Sequence, residues 1–578
     1  MHGWTGRTVI IDLTNGKIIE QKNDLNELRS YIGGRGLGVK LYSDMILPDI
    51  DPLSPENILI FTTGPLTGTR APLSGRHVMV SKSPLTGTIF DSSSGGFFGK
   101  ELKFLDLDAL IIKGVADEPV YISIQDEDLQ INNAIDLWGK NVRECSDQLS
   151  RKGSVACIGR AGERLVPIAN VMNDYFHSCG RGGLGAVMGS KKLKAIVVKG
   201  TRKPAIADED KFEKARSEAK GLIKRGSSGL STYGTSALLN LMNYQKILPA
   251  GNFRKKEFSD ASMVSGEFIK ENYDIKGHAC YNCAIACKHI IKSGAFEGYE
   301  VPEYETLWSF GPDNNNSHLE SIIKVNRLCN DYGIDTISAG STIAAYAEIM
   351  GEDVKEFTEL VKKMGDHVGV GKELGKGSKA LSNSRGKDVS MQCKGLELPG
   401  YDPRGLMGMA LAYATSNRGG CHLRAYMAGP EVLGKPKKVD RFTFSGKAEL
   451  VKIHQDETCS IDSLVLCKFA SFSVPKEIFA ELLSAATGVD YSIEEFLQCG
   501  ERIWNLERLF NNTAGFSRKD DILPERFFKT DGIDRNEFEK SLDEYYLQRG
   551  WDEFGVPTGG KLRELGIYKS LLDDGGIT

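Results

Sequence analysis

Cys280, Cys283 and Cys287 stand in the pattern C-x2-C-x3-C, and Cys467 lies alone far downstream. Thiolates so spaced can converge on one small inorganic centre, and the spacing predicts a tight helical turn with all three sulfurs inward. Tetrahedral zinc usually takes its four ligands as two close pairs, so three near cysteines and a remote fourth fit a cubane [4Fe–4S] cluster better. His278 and His289 flank the run, which keeps a Cys3His zinc site open. A disulfide or inert buried thiols are the bland alternatives.

Three further patterns could do chemistry. Gly180-Arg181-Gly182-Gly183 and Gly75-Arg76 read as anion cradles, because glycine lets backbone N–H groups approach closely and arginine offers a planar donor fork. Glycine-rich turns are also common in β structure for packing reasons alone. Gly33-Gly-Arg-Gly-Leu-Gly38 comes near GxGxxG but lacks the preceding strand and the following acid, which excludes a dinucleotide fold. Asn330-Asp-Tyr-Gly-Ile-Asp335 and Asp462-Ser-Leu-Val-Leu-Cys467 form a weak repeat. Acceptors at equivalent positions of two half-domains suit two similar ligands, such as two aminopyrimidine rings.

Two to four domains are expected of 578 residues. With 40% hydrophobic and 26% charged residues and a formal charge of −4, the composition is that of a globular protein, and nothing in it asks for nucleic acid or an anionic membrane. The 12 cysteines are too sparse for a disulfide scaffold, which points to a reducing compartment. The N-terminus has no apolar signal region and no stretch approaches a membrane span, so the expected location is cytoplasmic.

The first two hundred residues read as β-rich. Val9-Ile-Ile-Asp-Leu, a turn at Thr14-Asn-Gly, and Lys17-Ile-Ile-Glu predict a hairpin. Further strands are expected at Ile58, His77, Ala109, Val120 and Ala195, with loops at Gly64-Pro-Leu-Thr-Gly, Ser83-Pro-Leu-Thr-Gly and Asp91-Ser-Ser-Ser-Gly-Gly. From about residue 205 the apolar period becomes 3.6. Helices are expected from Asp208, Leu319, Thr342 and Ile493, with a loop at Arg225-Gly-Ser-Ser-Gly-Leu-Ser. The expected fold class is α+β, with a β-rich domain over 1–204 and two mainly helical domains over 205–407 and 408–578.

Over essentially its whole length the chain resembles the tungsten-dependent aldehyde ferredoxin oxidoreductases. The stretches that carry the likeness are Pro65-Leu-Thr-Gly-Thr, Ser94-Gly-Gly-Phe-Phe-Gly, Gly180-Arg-Gly-Gly-Leu-Gly-Ala-Val-Met-Gly-Ser, the cysteine run, Pro302-Glu-Tyr-Glu305, Tyr401-Asp-Pro-Arg-Gly and Tyr413-Ala-Thr-Ser-Asn-Arg-Gly-Gly-Cys-His422. The resemblance implies tungsten, or molybdenum, held by two pyranopterins, with a [4Fe–4S] cluster beside one of them on Cys280, Cys283, Cys287 and Cys467. It places Arg76 between cluster and pterin, and Ser93, Gly95, His177, Ser178, Gly180 and Arg181 around the phosphates, which Mg2+ commonly bridges. It assigns Asn330, Ile334, Asp335, Arg418, Arg424, Asp462, Leu466 and Lys468 to pterin contacts.

The resemblance also puts Glu305 and His422 nearest the metal. Oxidising an aldehyde to an acid requires activating water, polarising the carbonyl and removing a proton. A glutamate can take the proton, a histidine can hydrogen-bond the developing oxyanion, and burial would raise the glutamate pKa toward neutrality. Tyr304 beside Glu305 is expected to orient substrate. Some positions depart from the family pattern: Asn330 stands where aspartate is usual, Ser93 where an asparagine helps bind magnesium, and Val465 where the second hexapeptide has glycine. Lys324 and Arg327 occupy the helix where some members carry an acid that helps bind a subunit-bridging iron, which argues against that homodimer and leaves another dimer or a hetero-oligomer open.

The expected activity is reversible aldehyde oxidation, with electrons passed to a ferredoxin or a small iron–sulfur subunit. A catalytic subunit of an acyl- or aryl-CoA reductase is the first alternative, and a non-catalytic electron-transfer subunit the second. Retention of both Glu305 and His422 favours aldehyde chemistry. The glycine–arginine loops argue against an empty pterin site, and zinc explains none of them.

Overall fold

The computed structural model describes residues 1–529 and 531–567, so residues 568–578 of the third expected domain lie outside them. Two six-stranded sheets make up the first third of the chain. The first runs β2-β1-β6-β3-β4-β5, where β1 is Arg7–Asp12, β2 Lys17–Lys22, β3 Leu59–Thr62, β4 His77–Lys82, β5 Ile89–Ser94 and β6 Ala109–Lys113. The second runs β11-β10-β9-β12-β7-β8, where β7 is Val120–Gln125, β8 Asp128–Asn133, β9 Ser154–Cys157, β10 Val171–Asn173, β11 His177–Cys179 and β12 Leu193–Lys199.

The central strands of the first sheet are apolar at successive positions because both faces are covered. Val9, Ile11, Leu59, Phe61, Leu110 and Ile112 pack toward Ile122, Ile124, Ile196 and Val198 of the second sheet. The intervening Ile10, Ile60, Val78, Val80 and Ile111 pack into the large helical core, as a period of two requires. The expected hairpin forms between β1 and β2. The stretch at Asp91 is not a loop: β5 pairs with β4 along its whole length, Val78 opposite Ser93. Its serines are polar because two of them, Ser92 and Ser93, line a cavity, so pairing overrides weak strand propensity.

The change from strand to helix falls between β12 and the helix Glu209–Gly226, whose N-cap Asp208 accepts from the Lys211 amide. The expected loop at Arg225 is only a break at Ser227 before the helix Ser228–Tyr233. The helix expected from Thr342 begins earlier, as Thr336–Met350, because the Asp335 carboxylate caps its first turn. Among the described residues no helix is long and apolar enough to cross a membrane.

Both hexapeptides close a helix. Asn330 lies in the last turn of Leu319–Tyr332, which ends on Gly333 at φ 69°, and Asp462 in the last turn of Lys447–Leu464, which ends on Val465 at φ 61°. The fourth residue of each hexapeptide is therefore a left-handed cap, and a β-branched residue is rare there. Val465 also explains the glycine run that resembles a nucleotide loop. A Cβ on Gly34 would stand 2.3 Å from Val465 Cγ2 and 2.7 Å from the Asp462 carbonyl oxygen, so the glycine admits the 462–467 turn.

Candidate active site and thiol cluster

The helix Tyr304–Phe310 carries Glu305 in its first turn. It lies against the helix Thr336–Met350 because Gly340 has no side chain: a Cβ there would sit 2.7 Å from Ser309. Glu305 Oε2 accepts from the Gly400 amide at 3.0 Å, and the Tyr304 hydroxyl donates to the Gly400 carbonyl at 2.5 Å. Tyr304 thus fixes the strap that grips Glu305, and its hydroxyl is spent on the main chain instead of standing free to orient a substrate. Glu305 Oε1 has no hydrogen-bond partner among the described residues. His422 Nε2 stands 3.6 Å away, beyond hydrogen-bond range.

Burial pushes the Glu305 carboxyl up to about 8, with the Gly400 amide and Arg181 pulling the other way. Burial pushes His422 down to about 3, and Arg181, Arg418 and Arg424 add to the shift. The exposure left to the two side chains, 18% and 12%, faces a cavity of about 560 Å³. One wall is aromatic: Tyr401 lies 5.2 Å from Tyr304 and 5.3 Å from His422, centroid to centroid, and Tyr426 lies 5.2 Å from Phe472, the two rings tilted by 34°.

Every expected cofactor-contact position also lines this cavity: Arg76, Ser93 and Gly95, then His177, Ser178, Gly180 and Arg181, and from the helical domains Asn330, Ile334, Asp335, Arg418, Arg424, Asp462, Leu466 and Lys468. The arginines differ from expectation in what they are free to do. Arg181 is committed to Asp335 at 3.2 Å and to the carbonyls of Gly420 and Glu397. Arg76 donates from Nε and Nη2 to the Ser93 hydroxyl and carbonyl, both at 2.9 Å. Gly182 and Gly183 serve packing, since a Cβ on them would stand 2.5 Å from the Phe90 ring and 2.2 Å from the Pro167 carbonyl oxygen.

Asp91, expected in a loop, anchors the other two arginines from strand β5. It takes Arg424 Nη1 on both oxygens at 2.9 Å, and its carbonyl accepts from Arg418. Burial alone would raise its pKa, but Arg424, Arg35 and Arg418 hold it at about 2. Arg418 Nη2 reaches the Cys421 thiol at 3.0 Å, and burial is outweighed there by Arg418 and Arg424, which bring the thiol down to about 7. The Nε atoms of Arg418 and Arg424, the Ser178 hydroxyl, His177 Nε2 and His422 Nδ1 have no hydrogen-bond partner among the described residues. Buried donors are rarely left so without something to meet them.

The cysteine run is not a helical turn. It is the loop of a hairpin between β13 (Ile275–His278) and β14 (Lys288–Ile291), bent by Asn282 at φ 49° and Ala286 at φ 50°. Hairpin pairing sets the ends, so the loop turns through left-handed residues instead of winding. Leu73 draws in the remote cysteine: its N–H donates to the Asn282 carbonyl at 3.0 Å and its carbonyl accepts from the Cys467 amide at 3.3 Å. Arg76 Nη1 lies 4.0 Å from Cys467 Sγ, and His177 Nδ1 4.0 Å from Cys280 Sγ, so Arg76 stands between thiols and cavity.

The residues fit the implied groups. A Cβ on Gly95 would meet Cys280 Sγ at 2.9 Å, with Arg76 and His177 at 3.4 Å, so that glycine keeps the passage from thiols to cavity open. Burial raises Cys283 to about 11 and lifts Cys287 and Cys467 too, with the Cys467 charge adding to the first two. Thiols so placed ionise when a cationic centre takes them as ligands. Among the described residues no group of three or more His, Cys, Asp and Glu side chains is drawn tightly enough to hold a single ion.

The comparisons decide the family. Residues 8–200 match the profile of the aldehyde ferredoxin oxidoreductase N-terminal domain, and residues 214–567 match that of its domains 2 and 3. The chain belongs to the aldehyde ferredoxin oxidoreductase family. It is 41% identical to the tungsten-containing aldehyde ferredoxin oxidoreductase of Pyrococcus furiosus, over 98% of this chain and 99% of that one. It is 40% identical to the protein of the same name from Thermococcus kodakarensis, over 99% and 100%. The active-site complex of a benzoyl-coenzyme A reductase with a dienoyl-coenzyme A superposes with a TM-score of 0.87 at 24% identity, over 98% of this chain and 97% of that one, a likeness of fold.

For this aldehyde ferredoxin oxidoreductase family member, sequence reasoning missed Asp91, Gly400 and the Tyr401–Tyr426–Phe472 wall. Asp91 was hidden in a serine-rich run, although an acid there is a signal once two downstream arginines need a counter-charge. Gly400 and the aromatic wall come together from distant segments and leave no local pattern.

Proposed function

We propose that this chain is an aldehyde oxidoreductase working with a tungsten (or molybdenum) bis-pyranopterin, catalysing RCHO + H2O → RCOO⁻ + 3H⁺ + 2e⁻, reversibly. The observation that carries the reading is the Glu305–His422 pair, each with an unpartnered atom on the cavity wall. The metal centre, when bound, supplies the two-electron acceptor.

The protein's own part follows from the site. Glu305, held by Gly400, takes a proton from water or from the hydrated carbonyl once it is ionised. His422 is neutral, so it offers a single N–H to the oxygen that gains charge. The aromatic wall excludes bulk water, which strengthens both interactions. The free Nε edges of Arg418 and Arg424 and the Ser178 hydroxyl suit the phosphates of the pterins. Ser93, whose hydroxyl accepts from Arg76, would offer a magnesium ion one neutral oxygen.

A [4Fe–4S] cluster on Cys280, Cys283, Cys287 and Cys467 would carry electrons outward one at a time. Ala279, Asn282 and Ala284 of the hairpin loop are exposed, which supports a ferredoxin or a small iron–sulfur subunit docking there.

The test is anaerobic metal analysis followed by dye-linked oxidation of an aldehyde panel. One tungsten or molybdenum and about four irons per chain, with turnover lost in Glu305→Gln, supports the reading. Heavy metal with activity only on acyl or aryl thioesters would replace it with the CoA-reductase alternative. Iron without heavy metal would leave an electron-transfer subunit.

A further inference from the structure

The two helix-ending hexapeptides are alike in backbone but not in charge. Asp462, first residue of the second, brings a carboxylate to the cavity, balanced by Arg35 at 3.3 Å and Arg424 at 3.1 Å. Asn330 occupies the same place in the first, and an amide brings none. Its Nδ2 instead donates to Oε2 of Glu300 at 2.7 Å. Glu300 is buried, comes from the segment after β14, and has its other oxygen on Lys288. Lys288 in turn reaches Glu303 at 3.0 Å, and all four residues line the cavity.

We infer that Glu300 is the carboxylate acceptor of the first cofactor lobe, standing in for the acid missing at position 330. The inference rests on the two-pterin reading above. The first position of each hexapeptide then has a cation-paired carboxylate, Asp462 itself with Arg35 and Arg424, and Glu300, bonded to Asn330, with Lys288. An ionised carboxylate accepts the N–H groups of an aminopyrimidine more strongly than an amide does. An aspartate at 330 would set two carboxylates hydrogen-bond close with one lysine between three acids, so the asparagine is the partner that Glu300 requires. The ligand class is a heterocycle presenting adjacent N–H donors.

The pairing can be exchanged. In Glu300→Gln the glutamine and Asn330 are both amides, and the first position of this hexapeptide has no carboxylate beside it. In Asn330→Asp two carboxylates abut. The double variant Glu300→Gln with Asn330→Asp restores one carboxylate and one amide, with donor and acceptor reversed, while Glu303 still balances Lys288. The readout is pterin released from anaerobically purified holoenzyme, with iron and tungsten measured on the same sample. Each single variant is expected to lose half or more of the pterin while keeping its iron, and the double variant to recover most of it. Unchanged pterin in Glu300→Gln, or loss of pterin that the double variant does not recover, overturns the inference. Wild-type protein without pterin would instead overturn the two-pterin reading beneath it.

Discussion

His422 Nε2 and Glu305 Oε1 lie 3.6 Å apart, yet burial makes them two neutral groups at pH 7 instead of an ion pair. The glutamate keeps its proton, and the imidazole carries one N–H and no charge. A base that must first lose a proton near pH 8 works better in alkali. The rate of aldehyde oxidation should therefore rise with pH through about 8. Glu305→Gln should flatten that limb and lower kcat by roughly 10²–10⁴-fold. A wild-type profile already level at pH 6 would assign the base elsewhere.

The same burial predicts a trade of stability for function. Glu305 is raised on folding, so whatever stability its burial contributes is complete below its unfolded value and lost as pH climbs through about 8. Glutamine has no proton to lose. In the metal-free protein Glu305→Gln should match wild type near pH 4, melt at a progressively higher temperature up to about pH 8, at up to ~1.4 kcal/mol per pH unit, and keep a level margin above that. Melting curves taken at both ends decide it, and a constant offset would count against it.

Leu73 ties Cys467 to the hairpin loop through its amide and its carbonyl. Cys467→Ala should lower iron well below about four per chain and bleach the visible absorbance of the cluster. Cys421→Ser, beside Arg418 in the cavity wall, should leave iron unchanged. Equal iron loss in both variants would mean the absorbance reports general damage and not ligation.

Two glycines with positive φ should respond differently to alanine. At Gly34 the new methyl meets Val465 and the Asp462 carbonyl, whereas at Gly16 nothing lies within 4 Å. Gly16→Ala should cost about 1 kcal/mol of backbone strain, and Gly34→Ala more than about 3 kcal/mol because packed main chain must also move. Denaturant unfolding of both variants provides the comparison.

Much of the fold was legible because it is written locally. The β1–β2 hairpin declares itself by a turn between two apolar runs, and Asp208 announces the helix it caps. The cysteine loop and β5 were misread for one reason: both shapes are imposed by pairing with strands elsewhere, β13 with β14 and β5 with β4. At the site, residue types showed which groups could do chemistry but not which were already occupied. Arg181 and Tyr304 are spent on carbonyl groups far along the chain. That outcome depends on packing, and no spacing encodes it.

The cavity draws its walls from segments spread along the chain between Arg76 and Phe472. Whatever fills it is gripped at once by a strand edge, two helix ends and a hairpin, so it acts as a crosslink between segments joined only by long stretches of sequence. Loading should then be a folding event: the contents enter while these walls are apart, and leave only if they part again.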